Sequence, residues 1–331
     1  MPNPDKPHTL AQLEYWDRGE PSLAVLGHPV GHSVSPQMHN AALDYLRAQS
    51  PEMAKKLFGW MYYKFDIEDL DGVFELLQKK NFKGVNVTVP HKGHAAALCE
   101  NCGLDAANTV VFAGNGTPKA FNTDGYGMIQ SLKRDLGVDL AAKTVVLLGA
   151  GGAASGVAGE CIRHGCKALW IGNRDGKRQA KLIAELGEYL KETSTPGLPI
   201  PEVRGFDISS PDPSKWPADV VVINATTLGM KPDDRLPLVV RYLGELGKQA
   251  SVFDMVYNRE GTTKFVEAAR AQGLRATDGL SMLVWQGAAS LCIWLKEHLQ
   301  LGTKPADVAQ VMMDAACDAL GHARRSISPH A

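Results

Sequence analysis

The chain has 331 residues, enough for about two domains, each with a hydrophobic core of its own. Hydrophobic residues make up 44% and charged residues 21%, which argues against long disordered segments; a formal net charge of −1 at pH 7 gives no general attraction to nucleic acid or to an anionic membrane. No apolar run nears the roughly 20 residues that span a bilayer, and MPNPDKPHTL has neither the basic nor the apolar part of a secretion signal, so a cytoplasmic protein is expected.

Strands and helices alternate along the chain, which points to an α/β fold. Leu23 to Gly27 (LAVLG) is expected to be a strand, followed by a turn-rich loop and a helix from about Pro36 to Ala48. Met61 to Phe65 is a second strand, Leu70 to Lys80 a helix and Gly84 to Val89 a third strand. A helix should follow Pro90, and Thr109 to Phe112 should be extended. A helix from Gly127 to Leu136 then leads into the most informative stretch, Lys143 to Ala154 (KTVVLLGAGGAA). Its short apolar run suits a strand buried on both faces of a parallel sheet. Gly149, Gly151 and Ala154 occupy the positions of G-x-G-x-x-G/A, where glycine allows a tight turn and close approach of a pyrophosphate to the backbone. The helix that follows, Ala153 to His164, would offer its free amides to phosphates.

Beyond it, Ala168 to Ile171 is a strand, Lys177 to Lys191 an amphipathic helix and Thr193 to Pro201 a loop. Val220 to Asn224 and Val252 to Met255 are further buried strands, and two helices, Leu280 to His298 and Pro305 to His322, close the chain. The dinucleotide domain is therefore placed at 127–277, and the other domain at 1–126 with 278–331.

The second strand of a dinucleotide fold reads the cofactor's ribose. Here it ends Gly172-Asn173-Arg174, and an arginine there favours a 2′-phosphate over a bare 2′-hydroxyl, with Arg178 or Lys177 one turn on to close the clamp. Asp175 runs against this, since its carboxylate could repel the phosphate or accept a ribose hydroxyl. NADP is the expected cofactor, with NAD as the alternative. Of the six cysteines only Cys99 and Cys102 form C-x-x-C, without a second pair to complete a zinc site, so all are expected to be packing thiols. His28, His32 and His39 lack nearby carboxylates in sequence and are expected to be loop histidines; no metal is expected.

Three segments put polar groups where packing has little use for them. GHPVGHSVSPQMHN carries Ser33 and Ser35, whose alternation around Val34 should direct both hydroxyls to one side; the plainer reading makes Ser35 a helix cap before Pro36. NVTVPHK carries Thr88 at a strand end and Lys92 just past Pro90. NTDGYG carries Asp124, and Asn108 and Thr109 precede a strand. Singly, Lys92 reads as a solvated lysine and Asp124 as a turn residue.

As a set, GHPVGHSVSPQMHN, NVTVPHK, ANTV, NTDGYG, GAGGAA, NATTLGM, DMVYN and DGLSMLVWQGA resemble the shikimate dehydrogenases, in the same order and from about Leu23 to Lys296. The resemblance implies a substrate domain and a Rossmann-type NADP domain with the site in the cleft between them, and reversible reduction of 3-dehydroshikimate to shikimate. It implies that Ser33 and Ser35 bind the substrate carboxylate and that Lys92 and Asp124 are the catalytic pair. Thr88, Asn108, Tyr257 and Gln286 would complete the substrate pocket. Gly149, Ala150, Gly151, Gly152 and Ala153 would hold the pyrophosphate, and Asn173, Arg174 and Arg178 the adenosine phosphate. Met230, Met255, Gly279 and Met282 would lie near the nicotinamide. The stretch between Lys92 and Asn108 is shorter than usual, and Asp175 stands where the family often has Thr. A quinate/shikimate dehydrogenase using NAD and a non-catalytic dinucleotide sensor are the competing readings. The expected partners are small molecules, with the chain a monomer or homodimer.

Overall fold

The computed structural model describes residues 2–100, 106–114, 116–193, 200–231 and 233–327. By packing, the chain divides into two units, Met1–Thr123 with Val284–Ser328, and Asp124–Leu283. Both are α/β.

The first unit opens with β1 (Pro7–Thr9) and α1 (Leu10–Glu14), which the sequence reading did not foresee. Its remaining elements before the second unit are β2 (Ser22–Gly27), α2 (Ser35–Ala48), α3 (Pro51–Lys56), β3 (Met61–Asp66), α4 (Val73–Lys79), β4 (Phe82–Val87), α5 (Lys92–Ala97), β5 (Thr109–Val111) and β6 (Lys119–Phe121). The sheet order is β1-β3-β2-β4-β5-β6. The first four strands are mutually parallel, β5 is antiparallel to β4, and β6 is antiparallel to β5. Helix α4 starts three residues later than expected because Gly72 sits at φ +72°, a left-handed conformation that interrupts helical backbone.

Alternation along β3 and β4 sets up the chemistry of this unit. Tyr63, Phe65, Val85 and Val87 join one buried core with Trp16, Phe74 and Phe82. Successive side chains of a strand point to opposite faces, so Tyr62, Lys64, Asp66 and Asn86 belong to the other face of the sheet.

The second unit contains α6 (Asp124–Leu136), β7 (Thr144–Leu148), α7 (Gly152–Arg163), β8 (Ala168–Gly172), α8 (Gly176–Thr193), β9 (Glu202–Phe206), β10 (Val221–Asn224), α9 (Val240–Gly244), β11 (Ser251–Asp254), α10 (Lys264–Ala271) and β12 (Arg275–Thr277). All six strands are parallel in the order β12-β11-β10-β7-β8-β9. This is the doubly wound arrangement in which ligands bind beyond the carboxyl ends of the strands. The expected apolar runs of β7, β8, β10 and β11 are buried throughout, as strands covered on both faces must be. Strands β9 and β12 and helices α9 and α10 were not anticipated. The loop expected at Thr193 to Pro201 lies mostly outside the described residues.

Helix α11 (Leu280–Leu299) contributes its first turn to the second unit and the rest to the first, where α12 (Pro305–Leu320) packs on α2. Gly321 at φ +71° caps α12, two residues short of the expected end. Among the described residues, no helix is long and apolar enough to cross a membrane.

Candidate active site

In the first unit, the polar residues singled out by sequence converge on a buried hydrogen-bond network. Ser33 Oγ donates to Ser35 Oγ at 3.1 Å and accepts from the Ser35 amide at 3.3 Å, so the two hydroxyls do face each other. Ser35 is not the cap of α2: the cap is Val34, which makes no side-chain capping bond, and Ser35 is the first helical residue. That leaves its hydroxyl to bond to Tyr62, whose phenol is pushed far above its ordinary pKa by burial.

Tyr62 donates in turn to Asn86 Oδ1 at 2.8 Å. Asn86 Nδ2 faces three acceptors, the Asn108 carbonyl (3.0 Å), Thr109 Oγ1 (3.2 Å) and Ser290 Oγ (3.0 Å). Asn108 Nδ2 donates to Thr123 Oγ1 at 2.9 Å and to Gln286 Oε1 at 3.1 Å, and its Oδ1 accepts from the Thr123 amide at 2.8 Å. Ser290 lies within 2.7 Å of Thr109 Oγ1 and 3.2 Å of Thr123 Oγ1. Asn108, Thr109, Thr123 and Ser290 are all buried, and so many satisfied polar groups in one place fix side-chain orientations tightly. Ser33, Ser35, Asn108 and Gln286 were nominated by sequence. Tyr62, Thr123 and Ser290 were not, although a tyrosine and a serine facing Asn86 from β3 and α11 complete its bonding.

Thr88 and Lys92 stand at the edge of this network. The Thr88 amide donates to Leu26 O (2.9 Å) and the Thr88 carbonyl accepts from His91 N (2.9 Å). Buried His91 donates from Nε2 to Ile67 O at 2.6 Å, which pins the turn that delivers Lys92 to the start of α5. The Lys92 carbonyl accepts from the Ala107 amide at 2.9 Å, so the chain returns to Lys92 immediately before Asn108. Part of the short stretch between them, including Cys102, lies outside the described residues. Asp124 follows Thr123 directly as the first residue of α6; it is buried and belongs to the second unit by packing.

Two histidine expectations are corrected. His39 is inside α2, fully buried and stacked on Tyr62 with ring centroids 4.1 Å apart, and burial lowers its pKa to about 3. His28 does have a carboxylate partner, Asp66 Oδ1 at 2.5 Å, which raises its pKa through a hydrogen bond. Asp66 is 38 residues away in sequence and invisible to a local reading. The described cysteines are all reduced and buried.

In the second unit the glycine turn has the geometry a dinucleotide needs. Gly149 adopts φ +118°, and a Cβ there would stand 3.1 Å from the Ala225 carbonyl carbon, so only glycine fits. Gly151 caps α7 without any side-chain hydrogen bond, and Gly151 and Gly152 are exposed, leaving the first helical amides to a ligand. Ala154 packs fully buried into the core.

At the end of β8, Asp175 has a structural task. Its Oδ1 accepts from the amides of Lys177 (2.9 Å) and Arg178 (3.2 Å), capping α8, and its Oδ2 pairs with Arg178 Nε at 3.5 Å. Asn173 Nδ2 donates to the Asp175 carbonyl at 3.0 Å. The carboxylate thus does the capping work a threonine would do, and Arg174 and Arg178 remain exposed.

A second buried network organises the loops after β10 and β11. Fully buried Asp254 accepts from Asn224 Nδ2 (2.8 Å), the Val256 amide (3.1 Å) and Thr263 Oγ1 (2.7 Å). Asn224 Oδ1 accepts from the Thr226 amide and hydroxyl, and its Nδ2 also reaches Leu228 O. Burial, partly offset by these bonds, raises the Asp254 pKa to about 6. The network fixes the loop bearing exposed Met230 and the segment bearing Met255 and Tyr257, whose phenol burial pushes up to about 12. The Gly279 amide donates to Val256 O at 3.0 Å, and its backbone packs so closely on Met255 that a side chain would collide with the Met255 carbonyl. Met282 is buried in the core against which Met255 packs.

Residues 25–110 match the model of the shikimate dehydrogenase substrate binding domain. A shikimate dehydrogenase (NADP(+)) from Methanocella arvoryzae is 38% identical over 303 residues, covering 89% of this chain and 98% of its own length. One from Moorella thermoacetica is 37% identical over 280 residues, covering 82% and 87%. The chain belongs to the shikimate dehydrogenase family. Among solved members of that family, the shikimate 5-dehydrogenase of Thermus thermophilus, in complex with NADP(H) and shikimate, matches with a TM-score of 0.68 at 30% identity. That match covers 89% of this chain and 99% of the other.

Proposed function

We propose that the chain is a cytoplasmic shikimate dehydrogenase, catalysing the reversible NADPH-dependent reduction of 3-dehydroshikimate to shikimate. Residues 1–126 and 278–331 form its substrate-binding part and 127–277 its dinucleotide-binding part. The observation that carries the reading is the convergence of Ser33, Ser35, Asn108 and Gln286 on one buried network, in a chain with near full-length relatives of this activity.

The facing hydroxyls of Ser33 and Ser35 suit the two oxygens of one carboxylate. Asn108 and Gln286, held by their neighbours, direct amides at ring hydroxyls, with Thr88 beside them, and Tyr257 is the second unit's substrate residue. NADPH, when bound, supplies the hydride. Lys92 supplies the proton: an ammonium stabilises negative charge as it develops on the carbonyl oxygen and then donates to it. Asp124 is the second member of the proposed catalytic pair. The turn from Gly149 to Ala153, with the first amides of α7, holds the pyrophosphate, and Asn173, Arg174 and Arg178 hold the 2′-phosphate. Because Asp175 is engaged as a cap, it does not compete as a ribose ligand, which supports NADP. Met230, Met255, Gly279 and Met282 shape the nicotinamide side.

Turnover of shikimate and quinate, each with NADP⁺ and NAD⁺, tests the reading on purified protein. Shikimate with NADP⁺ should dominate. A lead for quinate or NAD⁺, or no turnover with any pair, refutes it.

A further inference from the structure

Behind the two serines stands a buried cation that no motif nominated. Lys64 on β3 is 3% exposed, and its Nζ donates to the carbonyls of Gly31 and Ser33, both at 3.1 Å. Two residues along the same strand face, Asp66 accepts from the Val30 amide at 3.3 Å and pairs with His28. The strand therefore grips the 28–33 loop with an anion and a cation. The pattern is specific: the ammonium is bonded to the very residue, Ser33, whose hydroxyl meets that of Ser35 at 3.1 Å. One residue, Ser33, thus links the charge to the hydroxyl pair.

A mere brace for this loop needs no lysine. Backbone carbonyls are satisfied by neutral donors, and a buried ammonium costs more to desolvate than an amide or hydroxyl. The group reached through Ser33 is a pair of neutral hydroxyls that orient an anion without attracting it. We propose that Lys64 is the charge-reading residue of the substrate's carboxylate subsite. It acts as a positioning residue through Ser33 and Ser35, and its field makes the site select an ionised acid over a neutral analogue. This rests on the function proposed above and adds to it the residue that recognises the substrate's charge.

The test compares shikimate with its neutral methyl ester, using NADP⁺, in the wild type and in Lys64→Gln, Lys64→Met and Lys64→Arg. Glutamine keeps a donor for the loop carbonyls but removes the charge. For the acid, KM should rise about tenfold or more in Lys64→Gln and Lys64→Met, the scale of one unit charge acting at short range in a partly buried site. For the ester, KM should change less than about twofold, and Lys64→Arg should restore most of the preference for the acid. An equal loss for acid and ester means that Lys64 only braces the loop, and overturns the proposal. If the charge-free variants do not fold, the wild type still decides: ester used as readily as acid means the site reads no charge. Absence of wild-type turnover with shikimate under any cofactor is a different result, which removes the proposed function and this inference with it.

Discussion

Asp254→Asn isolates the cost of holding a carboxylate at zero exposure in the dinucleotide unit. Burial raises its pKa from the ordinary 3.8 to about 6. An acid that binds its proton more tightly when folded makes the fold lose stability as pH rises, here through the window from 3.8 to about 6. Integrating over that window puts the loss at about 1 kcal/mol by pH 4.5 and about 3 kcal/mol by pH 7.5. Asparagine never ionises, and its amide can donate to Thr263 Oγ1 while its oxygen still accepts from Asn224 and Val256. Any bonding the amide lacks relative to the protonated acid is the same at both pH values and drops out of the comparison. Urea titrations of wild type and variant at pH 4.5 and 7.5 give the double difference, in which other titrating groups cancel. The variant should gain about 2 kcal/mol relative to wild type between the two pH values, because a pKa of about 6 already includes the hydrogen bonds to the charged form. A double difference below about 0.5 kcal/mol would refute the argument that burial governs this carboxyl.

Lys92→Ala should lower kcat by about two to four orders of magnitude while NADP⁺ affinity, followed by calorimetry, stays near normal; near-normal turnover sinks the proton-donor assignment. Arg174→Ala should weaken NADP⁺ binding at least about tenfold more than NAD⁺ binding, since it removes a charge-assisted bond only the 2′-phosphate makes; an equal loss for both removes the clamp. Tyr62→Phe deletes the link between Ser35 and Asn86 and leaves Asn86 Oδ1 short of a donor, for a loss of about 1–3 kcal/mol of unfolding free energy. Its KM for shikimate should rise with kcat less affected, and an unchanged melting temperature would count against a satisfied network.

Much of this was legible because two periodicities survive in the sequence. The apolar runs at Val145 to Leu148 and Val220 to Asn224 admit little except buried strands, and the glycines after Leu148 require the backbone found at Gly149. Short elements such as Pro7–Thr9 and Arg275–Thr277 escaped because three residues carry no periodicity, and the pairing of β1 with β3 alone makes the former a strand. The site was legible where a motif packed several polar residues together, as in Ser33 and Ser35. It was illegible where partners meet across long loops: Ser290 completes the bonding of Asn86 from 204 residues away, and Asp66 reaches His28 from another strand. Lys64 had a local signal, a charge between Tyr63 and Phe65, but without the sheet's facing it reads as a surface residue.

The cap at Asp175 bears on how this protein could be redesigned. Converting a dinucleotide enzyme from one cofactor to the other usually begins with the acidic or basic residue beside the ribose. Here the acid already present belongs to the helix, bonded to the amides of Lys177 and Arg178. Recruiting it to a ribose would fray α8 and cost about 1 kcal/mol of helix stability. A more economical route leaves position 175 alone and places a new carboxylate at Asn173 or Arg174, so that the identity of the cofactor and the integrity of the helix can evolve separately.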